Sequence, residues 1–308
     1  MSKQVEIKLR AFAINQNTQL TCSPVSISSI LEEKLEKTLA KERMLKRSSN
    51  DEDKEHDLIS SSIFDNDTIF GVMLRVELDT TSPQVPNDLL ALQSFALSDL
   101  PGDNKENTIY KKHYYFCLNN THLVTNLSGN TTIAGFQTYI NWLLNTATNP
   151  YEITPLCKST PDFKLSDIKE IVFGDDFKLT SNDSKIDTDT TTNKLINIAL
   201  DGIKNLLNDT VDLTEEELKQ VVSARLFLKL KKPKHMSEED YQKKFGAILK
   251  PIADTDNLQY VSKAGQRLKA ETITVTKNIN IETTGRGFLV EEQLRQAMIL
   301  FLNEQSLR

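Results

Sequence analysis

Hydrophobic and polar residues in the first part of the chain follow two different periods. Residues 5–14 alternate apolar and polar side chains, which predicts a β-strand with one buried face. From Ser26 the apolar residues recur at helical spacing and predict a helix with one buried stripe, formed by Ile27, Ile30, Leu31, Leu35 and Leu39. Residues 68–78 are almost continuously apolar and predict a buried strand.

The next segments predict a loop, a hairpin and a second helix. Residues 48–57 contain no apolar side chain, which favours a solvated loop. Residues 109–126 predict a β-hairpin that turns at Asn119 and Asn120. A helix is expected from Thr132 to a point before Pro150, since its apolar residues fall on one side.

The second half of the chain predicts more helices, interrupted by two strands. Helices are expected over residues 193–207, 215–222, 237–249 and 289–305, and strands over 225–232 and 271–282. In the last helix, residues 298–302 read MILFL and are apolar nearly all round. This turn is predicted either to be deeply buried or to meet a second subunit, and we expect a homodimer.

These elements predict an α+β fold with two mixed sheet-plus-helix lobes. Residues 178–193 are rich in Ser, Thr, Asn and Asp and are the best candidate for a linker. We therefore expect an N-terminal α+β domain over residues 1–177 and a C-terminal α+β domain with a basic strand over 194–308.

Composition indicates a globular, cytoplasmic protein. Hydrophobic residues make up 38% of the chain and charged residues 26%, and no apolar run reaches the length that a membrane span needs. The segment 1–15 lacks the apolar core of a secretory signal. Three widely spaced cysteines provide neither a disulfide framework nor a zinc knuckle.

Charge is distributed unevenly along the chain. The whole chain has a net charge of −6, but residues 220–280 contain twelve basic and six acidic residues. That segment therefore has a net charge of +6 and the rest of the chain −12. A local basic excess of this kind is typical of a nucleic-acid contact surface in an otherwise acidic protein.

Catalytic motifs are scarce. No dinucleotide-binding, Walker A, HExxH or GxSxG pattern occurs, so we expect neither catalytic residues nor a metal or cofactor. A hairpin turning at Asn119 and Asn120 would place Cys117 opposite His122, which would allow a Cys/His nucleophile pair, although a cysteine on such a strand is more often a core residue. Asp162, Asp176 and Lys178 are the residue types of a Mg²⁺-dependent PD-(D/E)xK nuclease, with a simple turn as the alternative for Asp176.

The basic strand is the most informative candidate site. Alternation over residues 225–232 puts Leu226, Leu228 and Leu230 on one face and cations with Phe227 on the other. We expect phosphate contacts from Arg225, Lys229, Lys231, Lys232, Lys234, Lys243 and Lys244. The alternative is that these lysines keep an exposed strand soluble or protect a sheet edge from pairing.

Several short stretches between residue 110 and the C-terminus are similar to the RexA family of phage lambda exclusion proteins. They are the hairpin before Gly129, the helix start at Thr131 and Thr132 with Phe136 and Ile140, and residues 151–157, 172–174, 226–232 and 263–302. The likeness covers about two-thirds of the chain, and none of these stretches is a catalytic signature. It implies a two-lobed α+β dimer that binds DNA with little sequence preference and excludes phage alongside a membrane-embedded partner.

From these patterns we expect a non-enzymatic, largely sequence-independent DNA-binding protein that acts in antiviral defence, by phage (superinfection) exclusion. The alternatives are the Mg²⁺-dependent nuclease and a protein-interaction module that captures a phage or host replication protein.

Overall fold

The computed structural model describes most of the first 173 residues and parts of the remainder. The described residues are 3–16, 26–47, 55–77, 85–101, 112–127, 133–144, 151–158, 165–173, 226–229, 235–237, 240–241, 258–269 and 273–307. The chain forms two compact units. The first unit contains Met1–Ser128, Ile133–Thr154 and Thr276–Arg308, and the second contains Gly129–Thr132 and Pro155–Val275.

Strands predominate among the described elements. They are β1 (Gln4–Gln16), β2 (Leu45–Lys46), β3 (Glu55–Asp65), β4 (Thr68–Glu77), β5 (Lys112–Leu118), β6 (His122–Thr125), β7 (Tyr151–Pro155), β8 (Ile168–Phe173), β9 (Leu226–Lys229), β10 (Leu258–Ser262), β11 (Arg267–Lys269) and β12 (Thr276–Glu282). The helices are α1 (Ile27–Lys37), α2 (Asn87–Leu90), α3 (Ile133–Leu143) and α4 (Glu291–Ser306). The predicted α+β class is confirmed.

The first unit is built on an eight-stranded sheet. Its strands run in the order β12-β1-β6-β5-β4-β3-β2, and β7 also pairs with β1. Every register recorded along this order is antiparallel, including that of β1 with β12, in which Ile7 pairs with Ile279. The second unit contains a four-stranded sheet in the order β11-β10-β8-β9.

Helices cover both faces of the larger sheet. On one face, Phe116 of β5 packs against Phe136 of α3 with ring centroids 5.1 Å apart, and Leu31 of α1 belongs to the same buried cluster. Successive strand residues point to opposite faces, so Tyr115 faces the other way, and its hydroxyl lies 3.4 Å from the Glu291 carboxylate of α4. The sheet is therefore the middle of three layers.

Local periodicity predicted most of the first unit correctly. The alternating segment 5–14 lies in β1, residues 68–77 of the apolar segment form β4, and both predicted helices of this part appear as α1 and α3. Helix α1 begins after Ser26, whose Oγ accepts a hydrogen bond from the Ser29 amide at 3.1 Å. That bond satisfies an amide that would otherwise lack a partner at the helix start.

The apolar turn of the last helix is buried within its own unit. Helix α4 packs against β5, β6 and β12, and Met298, Phe301 and Leu302 are at most 3% exposed. Leu300, on the far side of the helix, is 63% exposed. Most of the apolar side chains of this turn are already buried within their own unit. The turn therefore gives little support to the predicted homodimer.

The predicted loop over residues 48–57 is wrong at its end. Glu55–Asp65 forms β3, and within it Asp57 is buried and accepts two hydrogen bonds from the Arg75 guanidinium of β4 at 2.8 and 3.2 Å. The ion pair lets a segment without apolar residues enter the sheet.

The chain divides at other places than the expected 1–177 and 194–308. Strand β12 and helix α4 come last in the sequence, yet they complete the sheet that β1 begins. The main segment of the second unit, Pro155–Val275, is therefore inserted between Thr154 and Thr276 of the first. The predicted strand over 271–282 starts later, at Thr276, which is where the chain returns to the larger sheet.

Other predicted elements lie wholly or partly outside the described residues. These are the linker over 178–193, the helices over 193–207 and 215–222, and most of the helix over 237–249. At the start of the last of these, the Ser237 hydroxyl accepts a hydrogen bond from the Asp240 amide at 3.0 Å, as a helix cap does. None of the described helices combines the length and apolar character needed to cross a bilayer.

Candidate nucleic-acid interface

The basic strand lies at one edge of the four-stranded sheet. β9 covers Leu226–Lys229, within the predicted strand over 225–232, and it pairs antiparallel with β8. Among the described strands it has no neighbour on its other side. Of the expected phosphate contacts only Lys229 is described; Arg225, Lys231, Lys232, Lys234, Lys243 and Lys244 lie outside the described residues.

One face of this sheet is turned inward. The strand registers align Leu228, Ile171, Tyr260 and Leu268 in one row across the four strands. Tyr260 in this row is fully buried. Because directly opposed strand residues share a face, the position of Leu228 belongs to the inner face, in agreement with the predicted alternation.

Two further rows belong to the opposite face, which we call the outer face. The first row consists of Lys229, Glu170, Val261 and Arg267, and the second of Phe227, Val172, Gln259 and Lys269. Arg267 is exposed and Val261 is half-buried, in contrast to the fully buried Tyr260 of the inner face. The outer face therefore holds three cationic positions and one acidic position.

The hairpin that joins β10 to β11 adds a fourth cation beside this face. Lys263, at the start of its turn, is exposed. The turn is closed by backbone hydrogen bonds from Ser262 to Gln266 at 2.9 Å and from Gly265 to Ser262 at 2.9 Å. Gly265 has a φ of 81°, a conformation that glycine adopts without strain.

Exposure leaves two of these cations open to an anionic ligand. Within the described part of the chain, neither the Lys263 side chain nor that of Arg267 makes an ion pair or a hydrogen bond. The acidic member of the outer face has a partner, since the Glu170 carboxylate lies 3.5 Å from the Lys169 ammonium. Its side chain is 19% exposed, and its Cα also stands opposite that of Lys229.

Comparison with known proteins assigns no function to this face. No family model and no curated protein matches the chain. The resemblance to the RexA family therefore stays a prediction, and the interpretation of the outer face depends on its own geometry.

Sequence reasoning missed Arg267 and Lys269 as members of this face. Both belong to the basic segment 220–280, and the apolar Leu268 between them is the local sign of a strand with two cations on one side. Three residues are too few to establish a strand by periodicity. Only the register with β10 places the two cations on the same face as Lys229.

The predicted Cys117–His122 pair is wrong. In the hairpin Cys117 pairs with Val124, while His122 pairs with Ala13 of β1. The reason is the Asn119 side chain, whose Oδ1 accepts hydrogen bonds from the amides of Thr121 and His122 at 2.9 and 2.8 Å. This Asx turn puts Asn120 and Thr121 at the tip of the hairpin, one residue later than predicted, and so shifts the partner of Cys117 by two residues.

The environment of Cys117 also argues against a nucleophile. The residue is fully buried, and burial raises the pKa of its thiol to about 12, with a smaller opposing effect from Arg295. A thiol with so high a pKa holds almost no thiolate at neutral pH. Cys117 is a core residue beneath α4.

The nuclease residues Asp162, Asp176 and Lys178 lie outside the described residues. Within the described ranges, no group of three or more His, Cys, Asp or Glu side chains is arranged to hold a metal ion.

Proposed function

We propose that this chain is a non-enzymatic DNA-binding protein of phage defence that contacts phosphates through the outer face of its smaller sheet. The observation that carries the proposal is the strand register, which places Lys229 and Arg267 at the two ends of one row. Lys269 and Phe227 end the neighbouring row. The proposed phosphate contacts are thus Lys229, Arg267 and Lys269, continued by Arg225, Lys231, Lys232, Lys234, Lys243 and Lys244.

Such a face suits binding without sequence preference. Lysine and arginine neutralise phosphates and release condensed counterions, which is favourable on any sequence. Contacts to phosphate position a protein on DNA but do not read its bases.

The role in phage exclusion is supported by the resemblance to the RexA family, as is a membrane-protein partner encoded alongside. The cytoplasmic location belongs to the same proposal and is supported by the three widely spaced cysteines, which offer no disulfide framework. A homodimer belongs to the same proposal. Light scattering at micromolar concentration is expected to give about twice the 34.9 kDa mass of one chain, and a mass near 34.9 kDa would contradict the dimer.

Incubation of the purified protein with linear plasmid and Mg²⁺, followed by native and denaturing gels, tests the proposal. We expect a salt-sensitive shift on the native gel and intact DNA on the denaturing gel, because the contacts are electrostatic and no cleavage chemistry is assigned. Cleavage would overturn the proposal in favour of the nuclease. Neither a shift nor cleavage would favour the protein-interaction module.

A further inference from the structure

The cations of the outer face occupy only its edge strands. β9 contributes Lys229, and β11 contributes Arg267 and Lys269. The outer-face positions of the two central strands hold Glu170, Val172, Gln259 and Val261. Across the sheet the face is therefore positive at both sides and neutral to negative in the middle.

The spacing of these edges can be estimated from sheet geometry. Neighbouring strands lie about 4.8 Å apart, so three strand spacings put the Cα atoms of Arg267 and Lys229 about 14 Å apart. Along β11, Arg267 and Lys269 are two residues apart, or about 6.7 Å. Arg267 and Lys269 thus form one cationic edge and Lys229 the other, with an uncharged or acidic strip between them.

We infer that the outer face is built for the two phosphate backbones of duplex DNA rather than for the one backbone of a single strand. Each edge strand contacts one backbone, and the strip with Glu170 lies over the groove between them. This inference rests on the proposed function and specifies its substrate.

Charge and distance both favour the duplex. B-DNA carries its phosphates on two tracks that flank grooves about 6 and 12 Å wide, so two cationic edges about 14 Å apart can each contact one track. Long, flexible lysine and arginine side chains can span the difference between this Cα spacing and the distance between the two phosphate tracks. A single strand that crossed the middle of the face would bring its phosphates to Glu170, where like charges repel.

The test compares a 30-base-pair duplex of mixed sequence with one of its strands, by fluorescence anisotropy of the full chain over a range of salt concentrations. The wild type should bind the duplex more tightly. Arg267→Gln and Lys229→Gln should each make the duplex salt slope shallower by about 0.9 and should act additively, because each removes a contact to a different backbone.

Glu170→Gln gives the decisive result, because it removes the central charge at nearly constant shape. We expect it to raise the affinity for the single strand by a larger factor than the affinity for the duplex. The ratio of the duplex affinity to the single-strand affinity should therefore fall. The paired change Lys37→Gln with Lys41→Gln, two exposed positions in the first unit, is the control and should leave the preference unchanged. Thermal melting of each variant establishes that it is folded.

The binding measurements test the duplex preference and DNA binding itself separately. Tighter or equal binding of the single strand by the wild type, or an unchanged preference in folded Glu170→Gln, would overturn the duplex inference and leave DNA binding intact. The absence of salt-dependent binding to either probe would overturn the proposed function itself.

Discussion

Changing Lys229, Lys231 and Lys232 together to glutamate is expected to abolish DNA binding by a protein that still folds. The strand register keeps Lys229 off the row that contains the buried Tyr260, so the change at Lys229 leaves that row untouched. Neutralisation of three to five phosphates predicts a slope of about −3 to −4.5 in log K against log salt for the wild type. Any residual binding by the variant should be equally weak on unrelated sequences and should show a shallower slope.

Changing the same three lysines to glutamine instead distinguishes a loss of DNA binding from a loss of stability. Glutamate at Lys229 would stand directly opposite Glu170, and like charges in register cost about 0.2 to 1 kcal/mol. The glutamine version avoids that repulsion and should still weaken binding. Three lysines at or next to α1, Lys34, Lys37 and Lys41, changed to glutamine, provide a charge-matched control. Wild-type affinity and slope in the folded triple variant would place the nucleic-acid surface elsewhere.

Replacing Arg75 with alanine is expected to lower the free energy of unfolding by about 3 to 5 kcal/mol. The Arg75 and Asp57 side chains are 7% and 10% exposed, so the change leaves a carboxylate buried without its main partner. Burial by itself lowers the pKa of Arg75, yet the hydrogen bond and charge of Asp57 raise it above its ordinary value. The pair thus compensates for the desolvation of the guanidinium. Urea unfolding followed by circular dichroism measures the loss.

The exposed pair Lys37–Glu33 is the matched comparison for this variant. The Lys37 Nζ and Glu33 Oε1 atoms lie 2.6 Å apart, but the side chains are 71% and 65% exposed, so Lys37→Ala should leave the free energy of unfolding almost unchanged. Adding Asp57→Ala to Arg75→Ala should cost less than the sum of the single changes, since the second change removes the stranded charge. A loss below about 1 kcal/mol for Arg75→Ala would show that Arg47, 3.5 Å from Asp57, is sufficient as a partner.

Elements with a clear local period could be predicted from the sequence. The alternation in β1 and the apolar stripe of α1 each follow from one buried face, which neighbouring residues alone reveal. The same holds for α3 and α4. In each case burial selects the residues that repeat.

Features that depend on a distant partner could not be predicted in this way. The sequence around Asp57 predicts a loop, and only the ion pair with Arg75 of β4 explains why Asp57 lies in a strand. The register of Cys117 depends on hydrogen bonds made by a single asparagine, Asn119, which the apolar pattern does not reflect.

The outer face shows the same limit for the candidate site. The alternation around Lys229 was readable from its own strand. Arg267 and Lys269 are about 40 residues away, and only the pairing of four strands brings them onto that face. Charge counting located the basic segment, but only the strand registers show which of its residues share a face.

The pairing of β1 with β12 has a consequence for synthesis on the ribosome. β12 begins roughly 260 residues after β1 ends, and translation at about 5 to 20 residues per second delivers it tens of seconds later. Over residues 4–10, β1 pairs with β12, so this stretch emerges long before that partner exists. An unpaired strand edge is a template for association with other chains. The nascent protein is therefore prone to aggregate until β12 is made, and a chaperone that binds extended segments would cover the unpaired strand during that time.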